Sequence, residues 1–320
     1  MFAMAWAVCA CGLLVGGASG SPSAKVAASP EEESAWSPER LPDNVRYDAV
    51  LWLCAHNAMS NSEEGWHFPN QQGKMESLLD AGVHALMWDV WMQEGKVVLR
   101  HGPEWAAVLG SRPLQDALGD LKTWLEARPQ AVVTLIFESY VDAEQLAVEF
   151  ERAGLSSMCY VREEGKSWPT LGEMRRSGKR LVVMTDRPGI SPAWLMPVWK
   201  QCVETPWQAS APAELKNTFN RGDKKNDLLI VNHFVTPLTA YRGASEQVNA
   251  LNVLKAREEA VRREMGRNPN FWVLDFAELG DGLLFAAEVN QASVRGAANE
   301  KSRALPGKGA AGTKSGGFAG

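Results

Sequence analysis

From about residue 45 onward the chain alternates between short apolar runs and longer segments with helical spacing of apolar positions. The run DAVLWLCA at 48–55 is apolar almost throughout, the signature of a strand buried on both faces. Further strands are expected at 84–91, 97–100, 131–138, 180–185, 228–234 and 270–276. Helical periodicity occupies 74–81, 114–127, 142–153, 171–177 and 245–265. Arg128-Pro129 ends the second of these helices, and Gly178 closes the fourth. Buried strands alternating with helices form a parallel sheet covered by helices. No internal repeat is visible.

Polar residues gather at one end of these strands: His56-Asn57, Asp89, His101, Glu138, Thr185-Asp186-Arg187, Asn232-His233 and Asp275. In a β/α barrel the C-terminal strand ends share one mouth, where catalytic groups collect. The repeated placement therefore predicts an α/β, TIM-like (β/α) barrel. Imidazoles beside carboxylates, as His56 and His101 would be, can take or give a proton near neutral pH. Asn57, Asp89 and Glu138 offer hard oxygen donors, which suit Ca²⁺ or Mg²⁺ and not zinc or copper. A lone histidine is more often a hydrogen-bonded core or surface residue. That reading suits His67, in a loop, and His84, at a strand start. A single strand-end acid such as Glu138 serves equally often as a cap or ion-pair partner.

Composition narrows the classes. The 320 residues carry 33 Lys+Arg against 38 Asp+Glu, and 45% hydrophobic against 22% charged residues. These are globular values, and a net charge of −5 without a basic face argues against nucleic acid as a partner. Tryptophan, at 13, outnumbers both Phe and Tyr, which fits core filling and interfacial anchoring alike. Residues 1–24 are uncharged and apolar up to a run of small residues, and read as a secretory signal peptide without its basic start. Residues 25–44 read as a linker, 45–290 as the barrel, and 291–320 as a disordered, low-complexity tail. No uncharged apolar run after position 20 is long enough to span a membrane. Loss of the leader would leave three cysteines and at most one disulfide, with Cys159–Cys202 the expected pair. Cys54, within VLWLC, is expected to be a buried small hydrophobe.

Three segments in order, AHNAMS at 55–60, LDAGVHALMWD at 79–89 and LRHG at 99–102, resemble the X-domain of phosphatidylinositol-specific phospholipase C. The likeness is greatest to the small, single-domain phospholipase C-like phosphodiesterases. It continues through VVTLIFESY at 132–140, WPTLGEMRRSGKRLVVMTDR at 168–187, LLIVNHF at 228–234 and GRNPNFWVLDFAELGD at 266–281. The resemblance implies a barrel that cleaves a phospholipid phosphodiester at a membrane surface; the leader places it outside the cell, and a monomer is expected. A ring hydroxyl attacks phosphorus, and water then opens the cyclic product. His56 matches the family's first histidine, Asp275 the acid that orients it, and His101 the histidine that protonates the leaving oxygen. Asn57, Asp89 and Glu138 match the calcium ligands of metal-dependent members. Arg187, Arg221, Asn232 and His233 are the candidate substrate contacts.

Two departures stand out. Metal-dependent members have an acid where this chain has Met87, and metal-independent bacterial members have an arginine where it has Trp91. Charge developing on the phosphate still needs neutralising, so the expectation is a metal, Ca²⁺ before Mg²⁺. No basic cluster for a polyphosphorylated headgroup is evident, which favours unphosphorylated inositol or another alcohol. The competing readings are a sphingomyelinase D-like or glycerophosphodiesterase-like barrel, and a catalytically silent headgroup-binding barrel. The lone Asp89 speaks against the former, the retained His56, His101 and Asp275 against the latter.

Overall fold

The apolar runs assemble into one curled sheet. A computed structural model of the chain describes residues 36–187, 189–236, 240 and 242–304, with side chains through 296. The expected leader, most of the linker and the end of the tail lie outside those residues. In chain order the elements are β1 (Trp52–Ala55), α1 (Met75–Ala81), β2 (Ala85–Gln93), β3 (Lys96–Leu99), β4 (Arg112–Pro113) and α2 (Leu114–Ala127). They continue with β5 (Val133–Ser139), α3 (Ala143–Ala153), α4 (Leu171–Ser177), β6 (Leu181–Thr185), β7 (Leu195–Pro197) and α5 (Val198–Gln201). The rest comprises β8 (Cys202–Glu204), β9 (Leu228–Asn232), α6 (Arg242–Val248), α7 (Leu251–Met265), β10 (Phe271–Leu274) and α8 (Gly282–Ala304).

Parallel strands lie side by side in the order β7-β6-β5-β2-β1-β10-β9-β8. Because β1 pairs with both β2 and β10, the sheet closes on itself everywhere except between β7 and β8. Those two share no ladder among the described residues. The fold is the TIM-like α/β barrel expected from the strand pattern, open along one seam.

Alternation along each strand divides the core in two. Trp52, Cys54, Ile136, Met184, Ile230 and Val273 belong to the inner cluster. Their neighbours Leu53, Leu135, Val183, Val231 and Trp272 pack against helix residues such as Leu121, Phe150 and Val261. Truncating a buried tryptophan such as Trp272 to alanine would cost about 3–5 kcal/mol. Tyr47, stacked on Trp168 with centroids 4.7 Å apart and bonded to Thr134 Oγ1 at 2.7 Å, plugs the N-terminal end.

Four expectations are corrected. β3 departs from the parallel pattern: Glu94 and Gly95 both have positive φ, 48° and 75°, the signature of a type I′ hairpin turn. β3 therefore runs back along β2, with Leu99 opposite Val90. Cys54, Cys159 and Cys202 are all buried free thiols, so the Cys159–Cys202 disulfide is not formed. Cys202 lies in the inner cluster and Cys159 in the outer one, with the sheet between them. The linker is ordered from Trp36, where Arg175 grips the carbonyls of Glu39 and Leu41 at 3.1 and 2.9 Å. The alanine-rich start of the low-complexity tail is helical through Ala304 as part of α8.

The charged helix expected at 245–265 divides into α6 and α7. Asn249 breaks it by donating to the carbonyls of Asp275, Phe276 and Leu279, and Asp281 Oδ2 then accepts the Leu251 N–H at 2.9 Å. The short strands β7 and β8 carry too few residues to show alternation, and sequence pattern did not reveal them.

Candidate active site

The phase that sends Trp52, Ile136 and Val273 inward places His56, Glu138 and Asp275 next in the same inward columns. Asp89, Asp186, Glu204 and Asn232 continue the columns of β2, β6, β8 and β9. These polar groups cap the barrel interior at its C-terminal end, as the strand-end pattern predicted.

His56 and Asp275 meet across β1 and β10, His56 Nδ1 to Asp275 Oδ1 at 2.9 Å. Asp275 is buried and His56 only partly so. The imidazole stacks on Phe234 with centroids 3.9 Å apart and planes 13° apart, which fixes the ring plane. Asn70 Nδ2 donates to the same Oδ1 at 2.9 Å. Gln71 Nε2 donates to the His56 and Leu274 carbonyls at 2.7 and 3.0 Å, and its Oε1 accepts the Ala277 N–H at 2.9 Å. Both strand ends are thus tied to one buried glutamine. Asn57 and Phe276, the residues after His56 and Asp275, adopt φ of 45° and 47°. A left-handed phenylalanine is strained and persists only where surrounding bonds over-determine it. Here the Asn70 carbonyl holds the Phe276 N–H at 2.7 Å.

His101 arrives by the β2–β3 hairpin, whose return carries Arg100 to the Asp89 carbonyl, N–H to O at 3.2 Å. Arg100 is fully buried, bonded to the Gly102 carbonyl and Gln93 Oε1 and set over Trp91, and so anchors this turn. His101 Nε2 lies 3.3 Å from the Asn57 side-chain amide. An amide's two ends are interchangeable, so Asn57 can serve either protonation state of that nitrogen. Packing on one side and the nearby His56 lower the pKa of His101, while its outer face stays in solvent.

Across the mouth, Asp89 stands in register with Glu138 on β5. Burial and the carboxylates of Glu138 and Asp186 push the Asp89 pKa well above the carboxylate range. Tyr140 donates its hydroxyl to Glu138, and its ring stacks on Trp91 at 3.5 Å. Burial also raises Asp186, although the Ser139 N–H that it accepts at 2.8 Å works against this.

The candidate substrate contacts separate. Asn232 belongs to the mouth, but its amide donates to Glu204 Oε2 and the Thr205 carbonyl. Arg221 is clamped by both oxygens of Glu204 and lies over Trp199. Arg187 pairs with exposed Asp142 at 3.0 Å. His233 is out of phase and faces the helix layer, which corrects its reading as a substrate contact. It is fully buried, its Nδ1 bonded by Arg257 and its Nε2 by the Val248 carbonyl, with a pKa lowered to about 3 mainly by burial. His84 is likewise a core residue: its Nε2 bonds the Leu79 carbonyl, and burial brings its pKa to about 4. Sequence reasoning missed Asn70 and Gln71, which lie in a loop without periodicity, and Phe234, which it read only as the end of a strand that stops at Asn232. Glu204, also missed, carried a signal, one inward step above an apolar strand residue, as did Asp186, already among the strand-end polar residues.

The family model PI-PLC X 1 matches residues 44–290. A PI-PLC X domain-containing protein of Arabidopsis thaliana is 24% identical over 268 residues, covering 78% of this chain and 62% of the relative. An uncharacterized secreted protein of Arthroderma benhamiae is 22% identical over 280 residues, with the same coverage. The chain thus spans less than two thirds of the length of these relatives. Among solved structures, the phosphatidylinositol-specific phospholipase C of Listeria monocytogenes superposes with a TM-score of 0.54 at 14% identity, over 79% of this chain and 96% of that one. A variant of the Staphylococcus aureus enzyme gives 0.53 at 12% identity, over 79% and 96%. Both structural likenesses speak to the fold. With the family model covering the whole barrel, the chain belongs to the PI-PLC X family.

Proposed function

We propose that this chain is a phosphodiesterase that releases the headgroup of a phospholipid of the phosphatidylinositol type, using His56 and His101 as a proton-transfer pair. The observation that carries this reading is the His56–Asp275 bond. With Nδ1 committed to the carboxylate, Nε2 is the ring nitrogen left to accept a proton from the attacking ring hydroxyl. Asp275 keeps the tautomer and stabilises the imidazolium. His101 gives a proton to the departing lipid oxygen as the new ring O–P bond forms and the lipid O–P bond breaks. Water then opens the cyclic phosphodiester with the two roles exchanged.

Asn57, Asp89 and Glu138 would hold a divalent cation, Ca²⁺ before Mg²⁺. The residues fit one: the donors are hard oxygens, and the buried Asp89 carboxylate has only like charges around it. When bound, the cation would neutralise charge on the phosphate oxygens. The side chains of Arg221 and Arg187 are already paired, which favours an unphosphorylated headgroup. Exposed Phe68, Ile190 and Trp207 lie on loops after C-terminal strand ends, and exposed Trp105 and Val108 on the short 3₁₀ helix Glu104–Leu109 after β3, which supports docking of the mouth on a lipid surface. Among the described residues no helix is long and apolar enough to cross a membrane. We place the enzyme outside the cell: a protein found only in the cytosol would refute export, and secreted material still starting at Met1 would refute leader cleavage.

The direct test is headgroup release from vesicles of several phospholipids, with and without chelator. Release of inositol phosphate that needs both histidines supports the proposal. Turnover on no phosphodiester would leave a headgroup-binding barrel.

A further inference from the structure

Asp89 is 5% exposed, and among the described residues its carboxylate has neither a hydrogen-bond donor nor an ion-pair partner. Its ionisable neighbours are Glu138 and Asp186. Strand register sets the three acids in one row: Asp89 stands opposite Glu138, and Phe137 opposite Thr185, so Glu138 and Asp186 come next in register. Asp186 Oδ1 accepts the Ser139 N–H at 2.8 Å, which ties the side chain to the end of β5. Apart from that bond and its own backbone N–H, the Asp186 carboxylate accepts no hydrogen bond among the described residues. Arg221 is the basic group that acts on Asp186, and both oxygens of Glu204 already hold it. Met87, one inward step below Asp89, offers a thioether, a poor donor to a hard cation.

Resting on the cation reading above, we infer that Asp186 is a further ligand of that cation, supplying from the end of β6 the carboxylate that β2 lacks at Met87. Among the described residues, no three side chains of His, Cys, Asp or Glu already converge on one point. Binding would therefore require the three carboxylate arms to swing toward one point. Strands about 4.8 Å apart put the Asp89 and Asp186 Cα atoms roughly 10 Å apart, a span that two carboxylate arms and Ca²⁺–O distances of about 2.4 Å can bridge.

The test is calorimetric titration of Ca²⁺ into the purified protein, with thermal melts in its presence and absence. The parent protein is expected to bind one Ca²⁺ and to melt higher with it. Asp186→Asn keeps an oxygen for the Ser139 N–H; it should weaken the Kd about tenfold or more. Without Ca²⁺ the same variant should melt no lower than the parent, because one charge has left the row. Asp186→Ser provides the same reading if the amide variant does not fold. Parent-like Ca²⁺ affinity in an Asp186 variant, with binding lost in Asp89→Asn, would overturn the role of Asp186 and leave the cation reading standing. A parent protein that binds neither Ca²⁺ nor Mg²⁺ would overturn that reading, and this ligand with it.

Discussion

The two sides of the barrel mouth are built on different electrostatic terms. On the β1–β10 side, His56, Asp275, Asn70 and Gln71 hold one another through bonds of 2.7 to 3.0 Å, and Phe234 fixes the plane of the imidazole. On the β2–β5–β6 side, Asp89, Glu138 and Asp186 stand in a row, and the buried acid among them is opposed by its neighbours. The first side is organised before any ligand arrives. The second is incomplete as protein alone, and its charge calls for a proton or a cation. Preorganised dipoles are the larger source of catalytic stabilisation, whereas a pocket of uncompensated negative charge confers dependence on a ligand.

Breaking the organised side should cost most. His56→Ala or His101→Ala is expected to lose about 10²–10⁴-fold in kcat/KM on phosphatidylinositol. The double variant should lose far less than the product of the two, because the pair acts as a unit. A substrate with a better leaving group should rescue His101→Ala selectively; equal rescue of both variants would contradict the division of roles. On the incomplete side, Asp89→Asn should lose activity that added Ca²⁺ partly restores. Full activity of the parent in excess chelator would instead place both sides on the same protein-only footing.

Smaller effects sharpen the contrast. Asn70→Ala removes a donor from Asp275 Oδ1 and leaves more negative charge facing His56. About a tenfold fall in kcat with little change in KM is expected, together with a shift of the acid limb of the pH profile to higher pH. An unshifted limb would mean that Asn70 only fills space. Behind Phe234, neutral His233 braces the organised side. The unfolded chain protonates its histidines below about pH 6.5, whereas folded His233 and His84 resist until about 3 and 4. Their contribution is complete above about pH 6.5 and lost as the pH falls towards those values. The Tm should decline across that window, and less steeply in His233→Gln.

The strand ends tell how much was legible beforehand. His56, Asp89, Glu138 and Asp275 each follow an apolar run, so strand pattern alone placed them at one mouth, and the family resemblance named their roles. The buried-run reading of Cys54 and the core reading of His84 also hold, because burial follows directly from an apolar neighbourhood.

Other assignments depended on distance in space. Asn232 and His233 are adjacent in sequence, yet strand phase sends one inward and the other against Arg257. Nothing in a single pair of letters carries that phase until the pairing register is set. Cys159 and Cys202 looked like partners because both were available, and the sheet between the two cores keeps them apart. Asn70 and Gln71 lie in a loop without periodicity, and their bonds reach more than 200 residues along the chain to Asp275 and Leu274. Local sequence determines which segments are buried and which way they repeat. Contacts between segments far apart in the chain, and the balance of charge they create, exist only once the barrel has closed.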